Sequence, residues 1–203
     1  DAVISDGSRQ LWLTTNRWAD GSVAPRGYLH LESFALHGRM PVWRFALGDA
    51  RLEQRIWMEP GRNTTWVAYR LDAGSGGERR WRLRASLLAN ARDHHGATRA
   101  GAFAAAHRGG GAQLEVGLPG CALHVYAPGG RIEPRQIWYE NFRLAAEEAR
   151  GLDPIDNHLC VAELTLDLEP EVWTGFAVGL EAEPGGGINQ ALHRHQACDE
   201  AIL

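Results

Sequence analysis

Apolar and polar residues alternate with a period of two along most of the chain, and Gly, Pro, Asp and Asn interrupt the alternation at short intervals. That pattern predicts many short extended segments joined by turns. The run Arg80-Trp81-Arg82-Leu83-Arg84 sets charge and apolar bulk on opposite faces, as a half-buried strand does, and residues 51–58 begin the same way. Strands are expected at 10–15, 28–36, 42–47, 52–58, 64–71, 80–90, 112–116, 122–126, 135–142, 162–168 and 171–180. The Gly-rich stretches 73–78, 108–111 and 127–130 read as hairpin turns. Two segments break the pattern. Residues 144–150 hold three alanines and two glutamates, a short turn of helix within a loop. Residues 188–203 place Ile188, Ala191, Leu192, His195, Cys198 and Ile202 near one face, an amphipathic helix. The fold class is therefore all-β: a large antiparallel β-sandwich over residues 1–187, followed by a C-terminal helix.

Composition narrows what such a domain does. The chain has 203 residues and a formal net charge of -4, which disfavours nucleic acid, because phosphate binding calls for a basic surface. Its basic residues are all arginine, a bias that a GC-rich genome explains. No apolar run is long enough to span a bilayer, and the first ten residues lack the regions of a signal peptide. Three widely spaced cysteines, Cys121, Cys160 and Cys198, suit a reduced cytoplasmic protein better than a disulfide framework. Eight tryptophans are notable, since flat rings stack on the C–H faces of sugars. Trp57, Trp66, Trp81 and Trp173 lie in strand-like runs, where core packing explains them.

Candidate chemistry is sparse. His195 with Cys198 or Asp199 has helical spacing, but His193 points elsewhere and zinc requires three or four convergent ligands. Asn63-Thr64-Thr65 reads as a turn entering a strand. The glycine clusters 109–111 and 185–187 lack the Gly-Lys-Ser/Thr ending of a phosphate loop. Arg92, Asp93 and His94 form the most polar cluster at a strand end, suited either to hydrogen-bonding sugar hydroxyls or to shaping a turn. Alternation sets Trp138, Glu140 and Phe142 on one face and Tyr139 with Asn141 on the other. Glu140 has no second carboxylate nearby in sequence, and glycoside hydrolysis needs a positioned pair. No catalytic residue, metal ligand set or cofactor site is expected.

Three stretches stand out: YLHLESFALHGRMPVWR at 28–44, LEQRIWMEPGRNTTWVAYRL at 52–71 followed by the segment ending RDHHG at 96, and IWYENFRLAAEEARGLD at 137–153. Together they resemble the N-terminal domain of bacterial and archaeal glycogen-debranching enzymes of the amylo-α-1,6-glucosidase type. After Asp153 the chain departs from the family pattern, with Asp156-Asn157-His158 where an acidic pair is usual. The resemblance implies a super-β-sandwich that precedes an α/α-toroid catalytic domain of the same polypeptide. Further strands would lie ahead of Asp1, and 188–203 would begin a helical linker. It also implies that the hydrolytic carboxylates belong to the helical domain, so that this domain packs on the catalytic one and shapes its glucan cleft. Glycogen or a maltooligosaccharide is then the expected ligand, and Arg92, Asp93, His94, Trp138, Tyr139 and Asn141 are the candidate contacts. Two other readings remain: a purely structural sandwich, and a stand-alone mutarotase-like sandwich pairing His94 with Glu140.

Overall fold

The computed structural model describes residues 1–74, 79–94 and 96–202. Fifteen strands run in chain order: β1 Ala2–Ser5, β2 Gln10–Trp12, β3 Thr15–Arg17, β4 Val23–Arg26, β5 Leu31–His37, β6 Met40–Leu47, β7 Ala50–Met58, β8 Thr64–Asp72, β9 Trp81–Ala89, β10 Ala106–Gly110, β11 Gln113–Leu118, β12 Cys121–Tyr126, β13 Arg131–Arg143, β14 Ile155–Leu168 and β15 Thr174–Gly179. Helix α1 spans Ala145–Ala149 and helix α2 spans Ile188–Glu200. A five-stranded sheet (β13-β14-β9-β1-β2) faces an eight-stranded one (β10-β11-β12-β15-β8-β7-β6-β5), and β3 and β4 form a separate hairpin. All pairings between the named strands are antiparallel. The expected all-β sandwich with a C-terminal helix is what the chain forms.

The core lies where the two inner faces meet. Ile4, Leu83, Leu164 and Leu166 from the small sheet pack with Leu47, Leu52, Leu71, Leu114 and Val116 from the large one, all essentially sealed from solvent. The outer face of the large sheet has its own cover. There Trp57 and Trp66, directly paired across β7 and β8, stack with ring centroids 6.3 Å apart. Ile188, Ala191 and Leu192 of α2 close over them. Gln190 reaches back to the Gly187 N–H at 3.4 Å, which supports the first turn of the helix. Trp57 and Trp66 are core residues of this second layer and Trp81 of the core between the sheets, while Trp173 packs partly buried against the α2 layer.

Several sequence expectations shift at their edges. β1 and β10 carry strand structure in stretches where none is expected, β10 running through Gly109 and Gly110 where a turn is expected. The strand expected at 28–36 begins at Leu31, after a 3₁₀ turn over Gly27–His30. Helix α2 ends at Glu200; its buried face finishes with Asp199, and Ile202 is exposed. The expected turn 73–78 falls partly outside the described residues, as does His95. The most consequential difference concerns 155–161, which lies ahead of the strand expected at 162–168 and is the first half of the fourteen-residue β14.

Candidate functional site

Asp156, Asn157 and His158 follow Ile155 at the start of β14, and these three residues organise one end of the small sheet. Asp156 is 1% exposed. Its Oδ1 accepts the backbone N–H groups of Thr98 (2.7 Å) and Asn157 (2.9 Å), while Oδ2 meets Arg92 Nε at 3.0 Å and Asn90 Nδ2 at 3.2 Å. Asn157 Nδ2 donates to the Thr98 carbonyl at 2.7 Å, and its Oδ1 accepts the Asn141 N–H at 2.7 Å. Asn90 Nδ2 also lies 3.0 Å from His158 Nδ1, and Thr98 Oγ1 bonds Asn90 Oδ1. A carboxylate this buried survives only because each lone pair is used and an arginine faces it. Burial of the His158 ring lowers its pKa, Asp156 opposes that shift, and Arg92 adds to it. The histidine is therefore neutral near pH 7.

The predicted residues converge on this node unevenly. Arg92 is committed to it: besides Asp156 it donates to the Asp93 carbonyl (3.1 Å) and the His94 carbonyl (3.2 Å), fastening its own loop. Asp93 and His94 stand out into solvent, 2.9 Å from each other between Oδ1 and Nδ1. Strand β9 ends at Ala89, so alternation has no bearing on the facing of His94. Tyr139 pairs with His158 across β13 and β14. Asn141 sits at φ 66° in a bulge, the register slipping between Tyr139 and Phe142.

That bulge corrects the alternation expected for 138–142. One extra residue on β13 puts Phe142 on the face of Tyr139 and His158, with its ring 4.7 Å from the His158 ring and 4.7 Å from Trp18. Trp138 points the other way and packs edge-on to Phe103 at 5.1 Å, against the core. Trp138 and Tyr139 thus do not share a surface. The recess beside Arg92 and Asp156 encloses about 10 Å³, space for little more than one water. The node consequently holds loops in place; Asp93, His94 and Asn141 are exposed beside it, and Tyr139 is half-buried. Sequence reasoning missed Asn90, Thr98, Asp156, Asn157 and His158. The visible signal was a polar tripeptide at the start of an otherwise apolar strand.

Asn63-Thr64-Thr65 is a turn entering β8, as read, held by Glu181, which accepts from the Asn63 N–H (3.1 Å) and from Thr64 Oγ1 (2.8 Å). The three cysteines are free. Among the described residues no helix is long and apolar enough to cross a membrane, and no group of three His, Cys, Asp or Glu residues converges as a metal site would require.

The architecture is that of a two-sheet antiparallel β-sandwich domain. Residues 1–174 match the glycogen debranching enzyme N-terminal family, and the chain belongs to it. A bacterial glucoamylase solved with acarbose superposes with a TM-score of 0.50 at 11% identity, covering 99% of this chain and 31% of the glucoamylase chain. A human-microbiome protein described as a kojibiose phosphorylase aligns over 100% of this chain and 25% of its own, with 10% identity and a TM-score of 0.40. The chain thus spans about a third of the glucoamylase chain and a quarter of the phosphorylase chain. No curated protein matches its sequence.

Proposed function

We propose that this chain is the non-catalytic N-terminal domain of a cytoplasmic glycogen-debranching α-1,6-glucosidase, packing on an α/α-toroid catalytic domain of the same polypeptide and shaping glucan binding there. The family match over residues 1–174 carries the reading. An exposed apolar strip supports the packing role. The large sheet overhangs the small one, and β5, at its edge, is exposed along its whole length. Leu31, Phe34 and Leu36 are 41%, 54% and 62% exposed, and Phe34 and Leu36 continue the inner face past Trp43 and Pro41, their cross-strand partners. Tyr28 and Leu29, 51% and 65% exposed, extend the strip. Contiguous apolar surface of this kind marks a contact with another protein surface, here the helical domain. Asp93, His94, Tyr139 and Asn141 are the groups that meet glucan in this reading, with Arg92 and Trp138 holding them in place.

Electrophoresis of the chain through native gels with and without glycogen tests the sugar contact. Retardation by glycogen is expected, and it should fall in the Tyr139→Ala and His94→Ala variants, neither of which removes a core side chain. Unchanged migration of the parent chain would leave a structural role only.

A further inference from the structure

Beneath the C-terminal half of α2 the large sheet splits. The β6–β7 pairing stops at Val42 and Arg55, while β7 continues alongside β8 to Met58 and Thr65. A cleft of about 590 Å³ opens there. Its apolar wall is Pro41, Ile56, Trp57, Met58 and Pro60, and Glu59, His195 and Arg39 supply polarity.

The groups around this cleft are unusual in one respect. Among the described residues, five buried side-chain polar atoms lack a hydrogen-bond partner, and four of them belong to cleft residues: Trp57 Nε1, Glu59 Oε2 and both ring nitrogens of His195. His195 Nε2 approaches Asp199 Oδ2 to 3.5 Å without hydrogen-bond alignment. Each such orphan is destabilising, and their concentration beside one cavity calls for a reason. The formal charges at the same place are already balanced. Arg194 holds the other oxygen of Glu59, and Arg39 holds Asp199 through its backbone N–H (3.1 Å) and its Nε (2.7 Å).

From this we infer that the cleft binds a neutral polyhydroxylated ligand of one or two hexose units. Balanced ion pairs leave no net charge to attract an anion or cation. The orphan groups comprise an acceptor on Glu59, a donor on Trp57 and the two ring nitrogens of His195, a combination that hydroxyls satisfy because each donates and accepts. The apolar wall matches the C–H face of a pyranose, and the volume falls in the ordinary range for small-molecule sites. The orphan atoms are sealed from solvent in the unliganded chain, so binding requires the His195 ring to turn toward the cleft its residue lines, while Glu59 keeps its bond to Arg194. The site lies on the large sheet, away from Tyr139 and His94, and does not depend on the glucan contact proposed above.

Calorimetric titration of the chain with glucose, maltotriose and the acyclic polyol sorbitol, read in parallel by tryptophan fluorescence, tests the inference. Saturable binding of glucose or maltotriose is expected near the millimolar range, about the affinity of a few hydrogen bonds and one stacked face. Equal affinity for the two sugars identifies a free-sugar pocket; a preference for maltotriose identifies the end of a glucan chain. Met58→Arg, a change at an exposed position in the cleft mouth, should weaken binding at least about tenfold with no change in melting temperature. Glu59→Gln should weaken binding as much, at some cost in melting temperature because it neutralises the partner of Arg194, and it serves as the check that the polar group matters. Absence of binding up to about 50 mM sugar overturns the inference. So does binding that survives both variants but disappears in Tyr139→Ala, a result that would still support the surface proposed for glucan.

Discussion

His158 shows how one side chain ties the node to pH. Folding holds its ring neutral, with a pKa below the ordinary value of 6.5. The unfolded chain takes up a proton as pH falls through 6.5 and the folded one does so only at lower pH, so stability is full above that value and lost on acidification toward the folded pKa. A His158→Gln variant, able to keep a hydrogen bond to Asn90, is expected to lose less melting temperature than the parent between about pH 7.5 and 5.5. Equal losses in the two proteins would place the pH dependence elsewhere. Asp6 works at a lower range. Hydrogen bonds from Ser8, then from the Arg9 backbone, hold its carboxyl at about 2, so that its contribution persists to lower pH than that of an ordinary aspartate.

Elements rather than residues decide how the two apolar layers close. β15 lies so near β8 that a Cβ on Gly175 would stand 2.1 Å from the Val67 carbonyl oxygen and 2.9 Å from Ile188 of α2. Only glycine permits the helix to seat on the sheet at this distance. Leu192, 6% exposed, is the most buried of the bulky apolar side chains that α2 sets on the sheet. Leu192→Ala is expected to cost about 2–4 kcal/mol and to raise amide exchange in α2 before it affects the strands. Exchange rising first in β1 and β9 would show that the helix is not a separate cooperative layer. The expected amphipathic face of α2 was nearly right because helical period is local; its last member changed because Asp199 is drawn inward by Arg39, 160 residues away.

At the scale of the whole molecule, the mismatch between five strands and eight leaves β5 and its approach uncovered. Replacing Phe34 and Leu36 by Glu together removes apolar surface without touching the closed core. That double variant is expected to keep the parent's melting temperature within a few degrees and to abolish association with an α/α-toroid debranching domain supplied in trans, followed by analytical ultracentrifugation. Undiminished association would move the docking surface off this edge.

The sequence by itself determined the all-β class, most of the strands of the large sheet, the C-terminal helix and the family, because period-two and helical alternation are written in consecutive residues. It also placed the polar loop 92–94 at a strand end. Tertiary structure alone decided the rest. Asp156, Asn157 and His158 look like a loop because their hydrogen-bond partners Asn90 and Thr98 lie 58 to 68 residues away. The Asn141 bulge reversed the facing of Phe142 by adding one residue to one strand of a pair, which no periodicity can register. The overhanging β5 and the cleft under α2 exist because the two sheets differ in width and two strands part company, and those are relations between segments that meet only in space.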